Sequence, residues 1–158
     1  MTEHLDESLG ALADWANSND VQAEAMRRAG CELSRSQVWL LARLQTSGPV
    51  RLGALAEQMN LDKSTLSPQV TRLETDGYVV RTADPTDGRA HLLHVTKEGK
   101  ALLRRVERSR GAMLRELLSD WPESDLARAS RILSKLSSRL GTRLGDRLVA
   151  RRPRSTRA

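Results

Sequence analysis

The chain is 158 residues long, about the size of one domain, and its 39% hydrophobic and 29% charged residues are an ordinary globular balance. A single cysteine excludes an internal disulfide and a multi-cysteine zinc site, and no stretch reaches the roughly 18–20 apolar residues of a membrane span. The acidic start, MTEHLDESLG, lacks a signal-peptide core, so the chain reads as soluble and cytoplasmic. With no Phe, and aromatics limited to Trp15, Trp39, Trp121 and Tyr78, the core must be aliphatic. Abundant Leu, Ala, Arg and Glu predict a mainly helical fold.

Residues 5–30 carry Leu5, Leu9, Leu12, Ala13, Ala16, Val21, Ala25 and Met26 at helical spacing, with a break expected at Asn17–Asp20 and a stop at Gly30. Ser34-x-x-Gln37 is a capping box that opens a helix to about Thr46, with Val38, Leu41, Ala42 and Gln45 along it and Gly48-Pro49 as its stop. Leu52, Leu55, Ala56 and Met59 mark a short amphipathic helix within residues 50–61, ended by Asn60 in a left-handed conformation. Asp62 is expected to cap the next helix, whose inner stripe is Leu66, Val70 and Leu73 and whose stop is Gly77. Two short helices joined by a tight turn make a helix-turn-helix. Tyr78–Thr82 and Ala90–Val95 read as strands around a turn-rich loop at 83–89. Thr96 caps a long helix that runs to Trp121-Pro122 and is locally weakened at Gly111. A last helix spans about Glu123–Leu148. Its apolar row is Leu133, Leu136, Leu140, Leu144 and Leu148. Beside it runs a basic row, Arg128, Arg131, Lys135, Arg139, Arg143 and Arg147. The tail at 151–158 is Arg-rich and reads as disordered.

The net charge of +6 is uneven. Residues 1–49 sum to −3, residues 50–98 to −1 and residues 99–158 to +10. A basic balance points to a polyanionic partner, but here it does not single out the helix-turn-helix. That case rests on pattern. Lys63, Ser64, Thr65, Ser67, Gln69, Thr71 and Arg72 occupy the non-apolar face of the second helix, the residue types that meet base edges and phosphates in a major groove. Pro68 interrupts this helix: either it bends there, or its regular part starts with Ser67 as cap and Pro68 in the first turn.

A helix-turn-helix followed by a two-stranded wing is the winged-helix plan. Residues 34–103 resemble the MarR family of bacterial transcriptional regulators. The likeness is carried most strongly by Asp84-Pro85-Thr86-Asp87-Gly88-Arg89, similar to that family's wing signature, and by Leu93-x-x-Thr96-x-x-Gly99. The resemblance implies a mainly α fold with a small β-wing, one domain over 1–150. Its winged helix-turn-helix would lie at about 50–96, with dimerisation helices at about 5–30 and 97–148. It implies that Arg89 enters the minor groove of double-stranded operator DNA, with Asp87 holding its guanidinium in a fork-shaped pair and Asp84 bracing the loop. Arg81 is a further phosphate candidate. It implies a homodimer joined through Leu5, Leu9, Leu12, Leu133, Leu136, Leu140, Leu144 and Leu148, although the same rows could pack within one chain. Relatives bind small anionic aromatic effectors. Trp15, Met26, Trp39 and Arg43 lie on the elements that would line such a pocket, or the tryptophans belong to the core. The reading is therefore a cytoplasmic, nucleoid-associated regulator, a repressor rather than an activator, without cofactor or membrane partner.

Two alternatives remain open. The Thr65-Leu66-Ser67-Pro68 run is similar to the hydroperoxide-sensing branch of the family, which raises thiol sensing by Cys31. Arg27, Arg28 and Arg35 could lower its pKa. However, in that branch the cysteine starts the first helix with tyrosines nearby, whereas Cys31 precedes the capping box and Tyr78 sits at the wing. The other alternative is a helical protein that binds membranes or partners through its basic 123–158 segment. His4, His91 and His94 are scattered and no nucleophile–base motif occurs, so neither a metal site nor an enzyme is expected.

Overall fold

The computed structural model describes the backbone of residues 2–150 and the side chains of residues 4–139. Seven helices and three strands follow in the order α1 (Thr2–Asn17), α2 (Asn19–Arg28), α3 (Arg35–Ser47), β1 (Val50–Arg51), α4 (Leu52–Met59), α5 (Lys63–Thr75), β2 (Val79–Asp84), β3 (Asp87–Val95), α6 (Lys97–Leu117) and α7 (Glu123–Ala150) among the described residues. Among the described residues, 2–115 and 116–150 form two compact units. The basic tail at 151–158 lies outside the described residues.

The helix ends follow from their side chains. Ser18 accepts from the Val21 N–H and separates α1 from α2, as the Asn17–Asp20 break predicts. The capping box of α3 is complete: Ser34 Oγ accepts from the Gln37 N–H at 3.3 Å, and Gln37 Oε1 accepts from the Ser34 N–H at 2.9 Å. Asn60 ends α4 in the left-handed region, at φ 53 and ψ 46. Asp62 takes the cap position of α5 but makes no side-chain cap hydrogen bond. Instead the Thr65 and Leu66 N–H groups bond to its carbonyl.

The core of the first unit joins α3, α4, α5, the sheet and α6. Leu40, Leu41, Leu44, Leu55, Leu66, Val70, Leu73, Leu93 and Leu102 are almost wholly buried there. The inner stripe of α5 is as the spacing predicts. On α3 the buried row is Gln37, Leu40, Leu41 and Leu44, while Val38 is half-buried and Gln45 is exposed. The expected row is thus rotated about one residue from the true one. Helical spacing fixes the width of an apolar stripe but not its centre when apolar residues run consecutively, as Val38–Ala42 do.

The sheet is antiparallel with order β1-β3-β2. β1 is not apparent from the sequence, where residues 50–61 read as one helical segment. Val50 pairs with Leu93 and Arg51 with Leu92, so β1 is a two-residue edge held by β3. The wing strands also run further than expected, because Asp84 pairs with Asp87 and the turn shrinks to Pro85-Thr86. The rung below joins Ala83 to His91, which leaves Gly88, Arg89 and Ala90 bulged from β3.

The base of the wing is locked to α5 and α6. Thr96 Oγ1 donates to the Gly77 carbonyl at 2.8 Å and accepts from the Gly99 N–H at 3.1 Å. Gly99 is buried, and a Cβ there would stand 2.5 Å from the Tyr78 carbonyl oxygen. Gly99→Ala is therefore expected to destabilise the fold by about 1–3 kcal/mol through overpacking against backbone, measured by urea unfolding. Gly10→Ala, with open space around it, is the control and should leave the midpoint unchanged or raise it.

Candidate nucleic-acid interface

α5 divides its side chains cleanly. Opposite the buried stripe, Ser64, Ser67, Pro68, Thr71, Arg72 and Thr75 line one shallow exposed groove. Lys63, Thr65 and Gln69 fall on the flanks. The Lys63 side chain lies over Gly53 of α4, where a Cβ would stand 2.6 Å from its Cε. Thr65 faces Asn60 and Leu61 in the helix-turn-helix corner. Gln69 turns toward Ser34 and Ser36 at the head of α3 and donates to the Thr65 carbonyl at 3.4 Å. Of the polar residues singled out on this helix, Ser64, Ser67, Thr71 and Arg72 thus share one exposed groove. Helix α5 is continuous from Lys63, so Ser67 does not cap a later start. Pro68 sits inside the helix, where its missing N–H leaves the Ser64 carbonyl without its helical donor.

The wing departs from the expected pairing. Asp84 is buried, with 7% of its side chain exposed. Its Oδ1 accepts from the Thr86 N–H at 2.8 Å and the Thr86 hydroxyl at 2.7 Å. Its Oδ2 accepts from Arg51 Nε at 2.7 Å and Nη2 at 2.6 Å. Arg51 Nη1 also stands 3.4 Å from Asp87 Oδ2. Asp87 thus does not hold the Arg89 guanidinium. Its Oδ1 accepts the Arg89 backbone N–H at 3.2 Å, and Arg51 is the fork partner of the wing carboxylates. The guanidinium of Arg89 is exposed and has no ion pair among the described residues. Arg81 Nε donates to both Glu74 oxygens at 2.9 Å, which ties β2 to α5 and neutralises its charge.

Arg51 was invisible to sequence reasoning because β1 was. The available signal was Val50-Arg51 following the helix-stopping Gly48-Pro49, a place where a short edge strand fits. Of the six basic residues in 50–98, Arg51, Arg72 and Arg81 face carboxylates. The Arg72–Asp76 contact is long, 4.0 Å, and Arg72 remains exposed. Lys63, Arg89 and Lys97 have no ion pair among the described residues.

The known proteins most informative for this arrangement agree. Residues 33–91 match the sequence profile of the MarR family. The HTH-type transcriptional regulator YxaD of Bacillus subtilis is 35% identical over 114 residues, which covers 72% of this chain and 79% of YxaD. The chain belongs to the MarR family. Its members are DNA-binding transcriptional regulators, and so is this protein. The repressor MdtR of Bacillus subtilis is 29% identical over 114 residues, 72% of each chain. A transcriptional regulator of Thermotoga maritima has the same fold, with a TM-score of 0.74 and 26% identity over 90% of this chain and 98% of its own.

Other residues singled out in the sequence take varied places in this MarR-family fold. Met26 is buried with Ala29 and Val106, Trp15 is half-buried, and Trp39 and Arg43 are exposed one turn apart on α3. None of the four lines the cavity that α2, α3 and α6 form. That cavity, of about 230 Å³, is lined by Gln22, Val38, Ala42, Gln45, Thr46, Leu103, Val106, Glu107 and Arg110. Leu5 and Leu12 on α1 and Leu133 on α7 are exposed, and Leu9 and Leu136 are half-buried. The side chains of Leu140, Leu144 and Leu148 lie outside the described residues, as do those of Arg143 and Arg147.

Cys31 is half-buried, and burial pushes its thiol up, against a backbone hydrogen bond at Leu33 and the charge of Arg105. The arginines expected to lower it are engaged elsewhere. Arg27 and Arg28 hold Glu24 down to about 2, and Arg35 donates to Asn19 Oδ1 and the Asn17 carbonyl. His94 Nε2 pairs with Thr82 Oγ1 at 2.7 Å. Among the described residues no cluster of three or more His, Cys, Asp or Glu gathers to hold a metal, and no helix is long and apolar enough to cross a membrane.

The Thr86 and Arg51 hydrogen bonds hold the Asp84 carboxyl down to about 2, from an ordinary 3.8. A depressed carboxylate contributes stability that is fully present above about pH 4 and is lost as pH falls through 2. Asp84→Asn is expected to unfold more easily than wild type at pH 7, and the gap should narrow between about pH 4 and 2, measured by urea unfolding across that range. Glu24 titrates over the same range in both proteins, so the difference isolates Asp84. A gap independent of pH would contradict this assignment.

Proposed function

We propose that this protein is a sequence-specific repressor that binds a palindromic operator as a homodimer and is released by a small-molecule effector. The observation that carries the DNA reading is the exposed Arg89 on the wing bulge, without an ion pair among the described residues, together with the exposed Ser64–Ser67–Thr71–Arg72 face of α5. The helix face meets base edges in the major groove, and Arg89 enters the adjacent minor groove, where a narrow A·T tract concentrates negative potential. Repression is supported by the similarity to MdtR and by the physics of a compact dimer occluding a promoter.

The dimer is supported by the exposed leucines of α1 and α7, which are too apolar to remain as solvent faces. Two-fold symmetry then sets the half-sites about one helical turn apart, roughly 10 bp between centres. For the effector, the α2–α3–α6 cavity combines an apolar wall of Val38, Leu103 and Val106 with one cation, Arg110, and one carboxylate, Glu107. The apolar wall suits an aromatic ring, with Arg110 as the partner for an acidic group on it. The raised Cys31 pKa favours a ligand-released regulator over a thiol sensor.

Fluorescence anisotropy on the DNA upstream of the protein's own gene, followed by random-site selection if that fragment is not bound, tests this reading. Wild type should bind one sequence in excess scrambled competitor. Arg89→Ala should weaken that complex by about 10- to 100-fold and lower the slope of log affinity against log salt by about 1. Binding that never exceeds scrambled DNA, after selection, overturns the regulator reading and directs attention to the basic C-terminal helix.

A further inference from the structure

We propose that Arg51 is the positioning residue of the wing: it clamps Asp84 and Asp87 together, sets the bulge that presents Arg89, and cancels the negative charge beside it. The proposal rests on the DNA reading above. It deepens that reading by naming a residue outside both the recognition helix and the wing.

The geometry begins in the sheet. Arg51 opposes Leu92 on β3, and Leu92 opposes Thr82 on β2. Asp84 lies two residues beyond Thr82, about 7 Å along the strand, which is within reach of an arginine side chain. Arg51 also immediately precedes α4, so its backbone is fixed on both sides. From there its three nitrogens divide the work. Nε and Nη2 hold buried Asp84, and Nη1 holds Asp87.

Those two carboxylates bracket the turn. Asp84 ties down Thr86 on its other oxygen, and Asp87 accepts the Arg89 backbone N–H on its other oxygen. The bulged Gly88–Ala90 segment is therefore held at one end by the His91 rung and at the other by Asp87. A bulge re-aims a side chain, and only a fixed bulge aims it at one place. Arg51 supplies that fixation from β1, so the wing tip and the head of the helix-turn-helix form one rigid part.

The second contribution is electrostatic. Asp84, Asp87 and Arg89 alone sum to −1, and a phosphate would meet two carboxylates for each guanidinium. Arg51 brings the tip to zero. Lysine would restore the charge but not the three-way clamp, because its single ammonium cannot span both carboxylates in this fork geometry. Arg51→Lys therefore separates positioning from neutralisation.

The test uses the full chain and a random-sequence duplex library selected with wild type. Anisotropy then compares the enriched duplex with a version whose A·T flanks are replaced by G·C, and with versions altered at the central half-site bases. Wild type should lose about tenfold on the flank change. Arg51→Lys should lose most of that flank discrimination, as Arg89→Ala does, while keeping wild-type discrimination at the half-site bases read by α5. Hydrogen exchange of the 84–90 segment should be faster in Arg51→Lys with the α5 segment unchanged. Retained flank discrimination in Arg51→Lys overturns the proposal, and so does a uniform loss across all duplexes. If Arg51→Lys does not fold, Asp87→Asn carries the test. It keeps an amide oxygen for the Arg89 N–H but removes the Arg51–Asp87 ion pair while leaving the Arg51–Asp84 pair, and unchanged flank discrimination there overturns the proposal. Failure of wild type to enrich any sequence overturns the DNA reading and this role with it. A wild type and Arg89→Ala that behave as expected beside an unaffected Arg51→Lys overturn only the role of Arg51.

Discussion

The buried carboxylate of Asp84 joins two parts that the chain order keeps 33 residues from one another, the Arg51 edge of β1 and the wing turn. Burying a carboxylate is costly unless each oxygen is matched by donors. Here both oxygens are: one by the Thr86 amide and hydroxyl, the other by two Arg51 nitrogens. That match makes the wing an extension of the helix-turn-helix rather than a free hairpin. A two-stranded hairpin alone is marginally stable in water. The third strand, β1, and the Arg51 clamp together give this one a defined tip.

At the wing base the constraint is close approach instead of charge. Gly99 lets α6 lie against the Tyr78 carbonyl, and Thr96 bonds both to the end of α5 and to the first turn of α6. The recognition helix, the wing and the long helix of the first unit therefore meet at one point. These contacts join the start of α6 to the end of α5.

Charge is arranged in an unexpected way for a DNA-binding protein. The winged-helix segment is slightly acidic, and half of its cations face carboxylates. Among the described residues of this segment, Lys63, Arg89 and Lys97 are the cations without an ion pair. The basic excess lies in residues 99–158.

The sequence by itself determined whatever depends on near neighbours along the chain. The Ser34–Gln37 box, the left-handed Asn60, the Thr96 cap and the Leu66–Val70–Leu73 stripe are set by residues three or four apart. The wing signature likewise sufficed for the family, because its spacing lies within six consecutive residues. Tertiary structure decided everything that needed a distant partner. β1 exists because β3 offers it hydrogen bonds, and two residues carry no periodicity to announce it. The Asp87–Arg89 pairing looked natural at a separation of two, but Arg51 took both carboxylates from across the sheet and left the Arg89 guanidinium unpaired. Charged side chains choose partners by proximity in space and by burial, and a linear pattern contains neither.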